Sequence, residues 1–257
     1  MDKPWLNKYE RRVPASIQYP DKTLPQILSD MARRYPHRPV TIFFKAMLTY
    51  RQFLPGDGVD NVEGLPQAAK PYTYFDPRLI ELQKEFNSQL WNHINPYTKL
   101  AYKDDPAIVL TELKNESDLF TQPPVLEPYR SRLEAMYRGW AEQNGLTVGE
   151  GRVDFSHPDG QIARFLVQVQ VSYYRQMIAH LRDIGVKIPI NGTNWSMRLG
   201  VLASQLETDF TDSHWYWGFP FWEQEPGTTS VPMVGEARNI FAGLSFERVP
   251  DKPFFVS

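Results

Sequence analysis

The chain has 257 residues, with 28 basic and 30 acidic side chains and a formal net charge of −2, so it has no excess of positive charge for binding a phosphate backbone or an anionic membrane. We therefore expect no nucleic acid and no membrane as partners. The chain has no cysteine, which excludes disulfides, thiolate nucleophiles and cysteine-ligated zinc.

The first segment of the chain is polar and rich in proline. Residues 1–19 lack the apolar core of a signal peptide, which predicts a cytoplasmic location for the chain as written. Helical spacing of apolar residues predicts a helix over 24–35. Two short apolar runs, 39–44 and 46–50, are close enough to pair as a hairpin. This predicts a small α+β appendage over 1–52.

After residue 53 the sequence becomes a glycine-rich loop followed by alternating helical and strand-like segments. Apolar spacing and helix-end signals predict helices over about 77–93, 128–144, 161–184 and 197–205. Compact apolar runs predict strands over 107–113, 186–190, part of 208–216, and 253–256. Parallel strands connected by helices are expected, in either a barrel or a doubly wound sheet.

A carboxylate and an amide follow the strand predicted over 107–113. Asn115 and Glu116 would lie at the carboxyl edge of the sheet, where barrel enzymes place their chemistry. Glycoside cleavage needs a carboxylic acid there to protonate the leaving oxygen. Strands also end in polar residues for no functional reason, so the dipeptide leaves both interpretations open. Glu112 lies in the same segment but is not preceded by asparagine, and we expect it deeper in the barrel.

Three motifs resemble one family of enzymes. The pair Asn115-Glu116, the run Gly192–Trp195 and the run His214–Trp217 each follow a predicted strand. Together with the runs LPGDGVDN and HINPYTKLAYKDDPAIVLTELKNES, they are similar to clan A glycoside hydrolases, specifically cellulase-like members of family 5. The resemblance covers 53–257 and implies an incomplete (β/α)8 TIM barrel, with roughly the fourth to seventh strands.

The resemblance also implies roles for particular residues. Glu116 would be the catalytic acid/base, and Asn115 would bind the sugar 2-hydroxyl. Among the substrate-site residues, His214 would line the sugar subsite and Tyr216 would hydrogen-bond the nucleophile. His214 could equally be a buried structural histidine. The implied partner is a β-linked glycan or glycoside, and no cofactor is implied.

Aromatic residues are abundant, with 7 Trp, 13 Tyr and 15 Phe. Aromatic rings pack on the apolar faces of sugars but also fill protein cores. Trp195 and Trp217 are therefore candidates for sugar contacts or for core positions. The histidines outside His214 show no metal-ligand spacing, so we expect no metal site.

The resemblance identifies no second catalytic carboxylate in this sequence. A retaining glycosidase needs two carboxyl groups about 5–5.5 Å apart, and the final DKPFFVS segment does not continue into a glutamate. We therefore expect a glycosidase-like domain with little or no turnover. The alternative is a carbohydrate-binding or assembly module that completes its barrel with another chain or self-associates through open edges.

Residues 1–52 resemble a different family. The runs PWLNKY, TLPQILSDMARRYPHRPV and LTYRQF are similar to the N-terminal edge of long-chain fatty acid CoA ligases. The resemblance excludes that family's phosphate loop and catalytic positions, so it does not imply adenylate formation. A junction near Tyr50 suggests a fusion, and a remnant of such a ligase is a third hypothesis for the chain.

Overall fold

The computed structural model describes residues 58–65, 69–195, 198–214 and 248–256, all of which belong to one unit of the chain. The helix and hairpin expected within 1–52 lie outside the described residues. The described helices are α1 Pro77–Trp91, α2 Tyr129–Gln143, α3 Gly160–Asp183 and α4 Leu199–Ser204. The described strands are β1 Thr111–Lys114, β2 Ile190–Thr193, β3 Thr211–Ser213 and β4 Phe254–Val256.

Helices α1 and α3 begin at aspartate caps. The side chain of Asp76 accepts hydrogen bonds from the N–H groups of Arg78 and Leu79, both at 3.1 Å, and Pro77 occupies the first helical position. Asp159 accepts the equivalent two bonds at the start of α3. These bonds satisfy N–H groups that have no partner within the helix. The predicted start of α1 at Pro77 is thereby confirmed.

Helix α3 ends at Asp183, one residue before the predicted end at 184, and Gly185 follows its last turn. This glycine has a φ of +97°, in the left-handed region that a side chain disfavours. The reversal brings the N–H of Val186 within 2.9 Å of the Leu181 carbonyl oxygen, which closes the helix end. The chain then turns directly toward β2.

The strands pair in parallel. Strand β1 pairs with β2, with Thr111 opposite Ile190, and β3 pairs with β4, with Thr211 opposite Phe254. Between the pairs, the N–H of Asp209 donates to the Ile190 carbonyl oxygen at 2.9 Å. The N–H of His214 likewise donates to the Asn194 carbonyl oxygen at 2.9 Å. The result is a mixed α/β fold with short parallel strands, and the described ranges do not close into a barrel.

Two strands start later than the sequence predicts. The segment 107–113 becomes a strand only from Thr111, because the N–H groups of Ala107 and Ile108 bond to Asp105 in a turn. The segment 186–190 becomes a strand only at Ile190. There the guanidinium of Arg182 binds the carbonyl oxygens of 186 and 188, which removes them from the ladder. Apolar composition does not detect such competition for backbone groups.

The core lies between the strands and the helices. Its fully buried side chains include residues of α2, α3 and β2 and two residues outside them, namely Tyr129, Leu133, Leu166, Tyr173, Tyr174, Met177, Leu181, Ile190, Tyr74 and Leu119. Gly192 on β2 permits the closest approach. A Cβ added there would lie 2.6 Å from the ring of Tyr174 and 2.8 Å from Oε1 of Gln205. The glycine therefore lets α3 pack directly on β2.

Candidate functional site

Polar side chains meet where three neighbouring strands end. Glu116 follows β1, Asn194 follows β2 and His214 follows β3. Because these strands are parallel, their carboxyl ends lie at one edge. This edge is where parallel α/β folds bind ligands. The sequence predicted Glu116 and His214 at this edge, and the two side chains are in contact.

The backbone of Glu116 adopts an unusual conformation. Its φ is +46°, in the left-handed region, which disfavours residues with a Cβ. Two hydrogen bonds hold the turn: the N–H of Glu116 donates to Oδ1 of Asn194 at 2.7 Å, and that of Ser117 donates to Oγ1 of Thr193 at 3.4 Å. Strain at a non-glycine residue persists where surrounding bonds enforce it, and it concentrates at functional sites.

The Glu116 carboxylate has one oxygen bound and one available. Its Oε1 lies 2.9 Å from Nδ1 of His214. The side chain of Glu116 is 32% exposed, whereas that of His214 is 16% exposed. Within the described ranges, no hydrogen-bond partner contacts Oε2 of Glu116. This oxygen is therefore positioned to exchange a proton with a bound molecule.

Asn194 connects the site. Its Nδ2 lies 2.7 Å from Oε2 of Glu112, 3.0 Å from Oδ1 of Asn115 and 2.6 Å from Nε2 of His214. Asn194 is itself buried, with 2% exposure, whereas Asn115 is exposed. Asn115 is therefore accessible to a ligand, while its Oδ1 contacts Asn194.

Two further carboxyl groups lie beside this network. Glu112 is half-buried, and its Oε1 accepts a hydrogen bond from Nδ2 of Asn191 at 3.1 Å. Burial is the largest cause that raises the pKa of Glu112, from 4.5 to about 8, and a hydrogen bond and repulsion from Asp212 add to it. Loss of the proton would place two charges side by side in a poorly solvated position. Burial and Asp212 therefore both favour the protonated form of Glu112.

A buried lysine lies next to the same strand end. Nζ of Lys114 donates to Oγ1 of Thr73 and, at 3.0 Å, to Oε1 of Gln83. It lies 5.5 Å from the ring centre of Tyr74 and 5.1 Å from that of Tyr173. Burial, with a smaller contribution from Lys70, lowers the pKa of Lys114 from 10.5 to about 7. The contacts connect the end of β1 to the helices behind it.

The turn that carries Glu116 is anchored on both sides. The hydroxyl of Tyr74 donates to the Ser117 carbonyl oxygen at 2.6 Å. Further along, the N–H of Leu119 donates to Oε1 of Gln170 at 2.8 Å, and Nε2 of Gln170 donates to Oγ of Ser204 at 2.9 Å. All of these residues are buried, so the turn belongs to the rigid part of the described structure.

The remaining predicted residues lie partly outside this network. Trp195 is half-buried beside Asn194, and its indole Nε1 is buried without a hydrogen-bond partner among the described residues. Tyr216 and Trp217 lie outside the described residues. The sequence interpretation missed Asn191, Asn194 and Asp212 and set Glu112 aside. Their only signal was a polar side chain in or directly after a short predicted strand.

The described residues contain neither a metal-binding cluster nor a membrane-spanning helix. Across the described ranges, no group of three or more His, Asp or Glu side chains is arranged to hold a metal ion. Among the helices described, none has the length and apolar character needed to cross a bilayer.

Comparison with known proteins gave one short similarity. Over 52 residues, 20% of this chain, the sequence is 38% identical to a long-chain-fatty-acid–CoA ligase of Bacillus subtilis (strain 168). The similarity spans 9% of that ligase, and it confirms that a short part of the chain resembles this family. No family model matches the chain, and no solved structure matches it.

Proposed function

We propose that this chain carries a glycoside-binding site of the glycoside hydrolase type, in which Glu116 is the acid/base and Asn115 binds a sugar hydroxyl. The finer architecture that we propose is part of a (β/α)8 barrel. Two features support it: adjacent parallel strands follow chain order from β1 to β4, and helices connect β1 to β2 and β2 to β3. Sequential order is what barrel closure requires, whereas a doubly wound sheet reverses direction.

One observation carries the proposal. Glu116 is held in a strained left-handed conformation, with Oε1 bound to His214 and Oε2 without a partner among the described residues. Strained backbone supported by buried hydrogen bonds is costly for the fold, and its usual benefit is a correctly oriented functional group. An outward carboxyl oxygen beside the exposed amide of Asn115 fits a glycosidic oxygen and a neighbouring hydroxyl.

The other carboxyl groups of the described site bear on whether it can cleave a glycosidic bond. Glycoside cleavage needs a second carboxylate that attacks the anomeric carbon or activates water. Burial and Asp212 raise the pKa of Glu112 and so disfavour its charged form, and a protonated carboxyl is a poor nucleophile. We therefore propose sugar binding as the main property of the site, with slow turnover.

Calorimetric titration with β-1,4-linked gluco-, manno- and xylo-oligosaccharides tests this proposal. We expect one of them to bind, and Asn115→Ala to weaken its affinity about 10-fold through loss of a hydrogen bond. Glu116→Gln should retain binding within a few-fold. It should also lower any cleavage of β-glycosides by about 10²–10⁴-fold, because it removes a proton donor.

His157→Gln is the matched control, because His157 is an exposed residue on the 154–157 turn, outside this network. It should bind sugar as the wild type does. Absence of binding to all three oligosaccharide classes, or an equal loss in His157→Gln and Asn115→Ala, would contradict the proposed function.

A second candidate function is assembly with another chain. Strand β4 exposes Phe255 and Val256 at 44% and 39%. On β1, the Leu113 carbonyl oxygen accepts a hydrogen bond from Nε2 of Gln83 at 3.2 Å, so this backbone group of β1 already has a partner. An exposed apolar strand favours self-association. Sedimentation velocity over a range of concentrations tests this, since Phe255→Ser should shift any oligomer toward monomer, whereas a wild type that is monomeric throughout would exclude it.

The ligase similarity supports no further function. It spans 9% of that enzyme, so we propose no adenylate-forming activity for this chain.

A further inference from the structure

The orientation of the Asn194 amide is fixed by the backbone. The N–H of Glu116 lies 2.7 Å from one side-chain atom of Asn194, and a backbone N–H can only donate. That atom must therefore be the oxygen, Oδ1. The remaining atom is Nδ2, which has two protons and no ability to accept.

This orientation determines which nitrogen of His214 carries a proton. Nδ2 of Asn194 lies 2.6 Å from Nε2 of His214. Since Nδ2 donates, Nε2 must accept and has no proton when the ring is neutral. The proton then resides on Nδ1, which lies 2.9 Å from Oε1 of Glu116. The imidazole therefore donates its N–H to the Glu116 carboxylate.

We infer that Asn194 is a positioning residue that selects the Nδ1–H tautomer of His214 and thereby fixes which oxygen of Glu116 faces a ligand. The amide acts at both ends of Glu116. Its Oδ1 holds the backbone N–H, and its Nδ2, through His214, holds Oε1. Oε2 is left as the oxygen that exchanges a proton. This inference deepens the proposed function and rests on it only for the role of Oε2.

The contacts of the Asn194 amide explain why Asn115 is available to bind a ligand. Nδ2 of Asn194 has two protons but three acceptors within reach, on Glu112, Asn115 and His214. The contact with Asn115 is the longest of the three, at 3.0 Å, and Asn115 is exposed. A ligand that binds Asn115 therefore displaces the weakest contact and leaves the contacts that orient Glu116 in place.

Nitrogen NMR of protein labelled with ¹⁵N-histidine tests the inference without any sugar. The ring signals of His214 are assigned from their loss in His214→Gln and are read over a series of pH values. We expect the neutral ring to carry its proton on Nδ1. A neutral ring with its proton on Nε2 in the wild-type protein would overturn the inference, whatever the variants do.

The variant Asn194→Asp has nearly the same shape but replaces the donor with an acceptor. An oxygen facing Nε2 favours a proton there, whereas Oε1 of Glu116 still favours one on Nδ1, so we expect the fraction of neutral rings with the proton on Nε2 to rise above that of the wild type. The matched control is Asn144→Asp at the end of α2, which makes the same chemical change far from the network and should leave the tautomer unchanged. An unchanged tautomer in folded Asn194→Asp would also overturn the inference.

Sugar titration of the same variants separates the two proposals. If the proposed function holds, Asn194→Asp lowers glycoside cleavage by about 10²-fold through misplacement of Glu116. Under the same proposal, Asn144→Asp leaves cleavage unchanged. A wild-type protein that shows the Nδ1–H tautomer but binds no oligosaccharide would contradict the proposed function and leave the role of Asn194 intact.

Discussion

Glu112 on β1 and Asp212 on β3 form a hydrogen-bonded carboxyl pair. Burial and the proximity of Asp212 raise the pKa of Glu112 from 4.5 to about 8, so the folded protein holds a proton that the unfolded chain releases. Because Glu112 also accepts from Asn191 and Asn194, the protonation of this pair is connected to the network that orients Glu116.

The first prediction concerns pH and stability. Between pH 4.5 and 8 the folded state keeps the Glu112 proton and the unfolded state loses it, so this group makes the free energy of unfolding fall as pH rises through that window. Glu112→Gln should flatten this fall in urea unfolding measured at several pH values. Glu142→Gln, at an exposed position on α2, is the control. Equal slopes for Glu112→Gln and the wild type would contradict the assignment.

The second prediction has the opposite sign and concerns Lys114. Its pKa is lowered from 10.5 to about 7, so between these values the unfolded chain holds a proton that the folded protein has lost. The contribution of Lys114 to the free energy of unfolding should therefore rise with pH from about 7 to 10.5. The free energy of unfolding of the wild type minus that of Lys114→Met, measured against pH, should show this rise. The same difference for Lys187→Met, at an exposed position, should not. A difference for Lys114→Met that does not change with pH would contradict this prediction, because it would show that the amine is solvated.

The third prediction tests the strain at Glu116. Its φ of +46° suits glycine, so Glu116→Gly should be more stable than Glu116→Ala by about 1 kcal/mol. The same pair at Glu142, inside α2, should show the reverse order, with glycine less stable by about 1 kcal/mol. Thermal unfolding of the four variants measures both differences. The same order at both positions would exclude a left-handed conformation at Glu116.

The fourth prediction tests the close packing of β2 on α3. Gly192→Ala would place a methyl group 2.6 Å from the ring of Tyr174, and overpacking of this kind costs about 1–3 kcal/mol. Gly139 on α2 has nothing within 4 Å of an added Cβ, so Gly139→Ala should instead stabilise the protein by about 0.5–1 kcal/mol. Chemical denaturation distinguishes them. A neutral Gly192→Ala would mean that β2 and α3 are not packed as described.

Local signals in the sequence were sufficient to predict most of the described fold. Helices α1 and α3 follow from apolar residues at helical spacing and from signals at their ends, namely Asp76-Pro77 before α1 and Gly185 after α3. These signals lie within the helix and its flanks, whereas the Asp159 cap of α3 was not predicted. Strands β1 and β2 were predicted too early, because the backbone groups before them bond to Asp105 and Arg182 instead. A side chain that competes for those groups is visible only in three dimensions.

The candidate site was predictable only in part. Glu116, Asn115 and His214 could be named because each follows a strand and fits a familiar motif. Asn194 could not be assigned a role, since its function consists of contacts with residues 78 to 82 positions earlier and 20 positions later in the chain. No local pattern encodes such contacts. The pairing of Glu112 with Asp212 is hidden from the sequence for the same reason.

The most direct test of the central claim is a crystal structure of Glu116→Gln with the β-1,4-linked oligosaccharide that binds most tightly. We predict that a glycosidic oxygen lies within about 3 Å of the side-chain atom that replaces Oε2 of Glu116, and that a sugar hydroxyl contacts Asn115. An oligosaccharide bound away from both residues, or crystals that take up no sugar, would contradict the account.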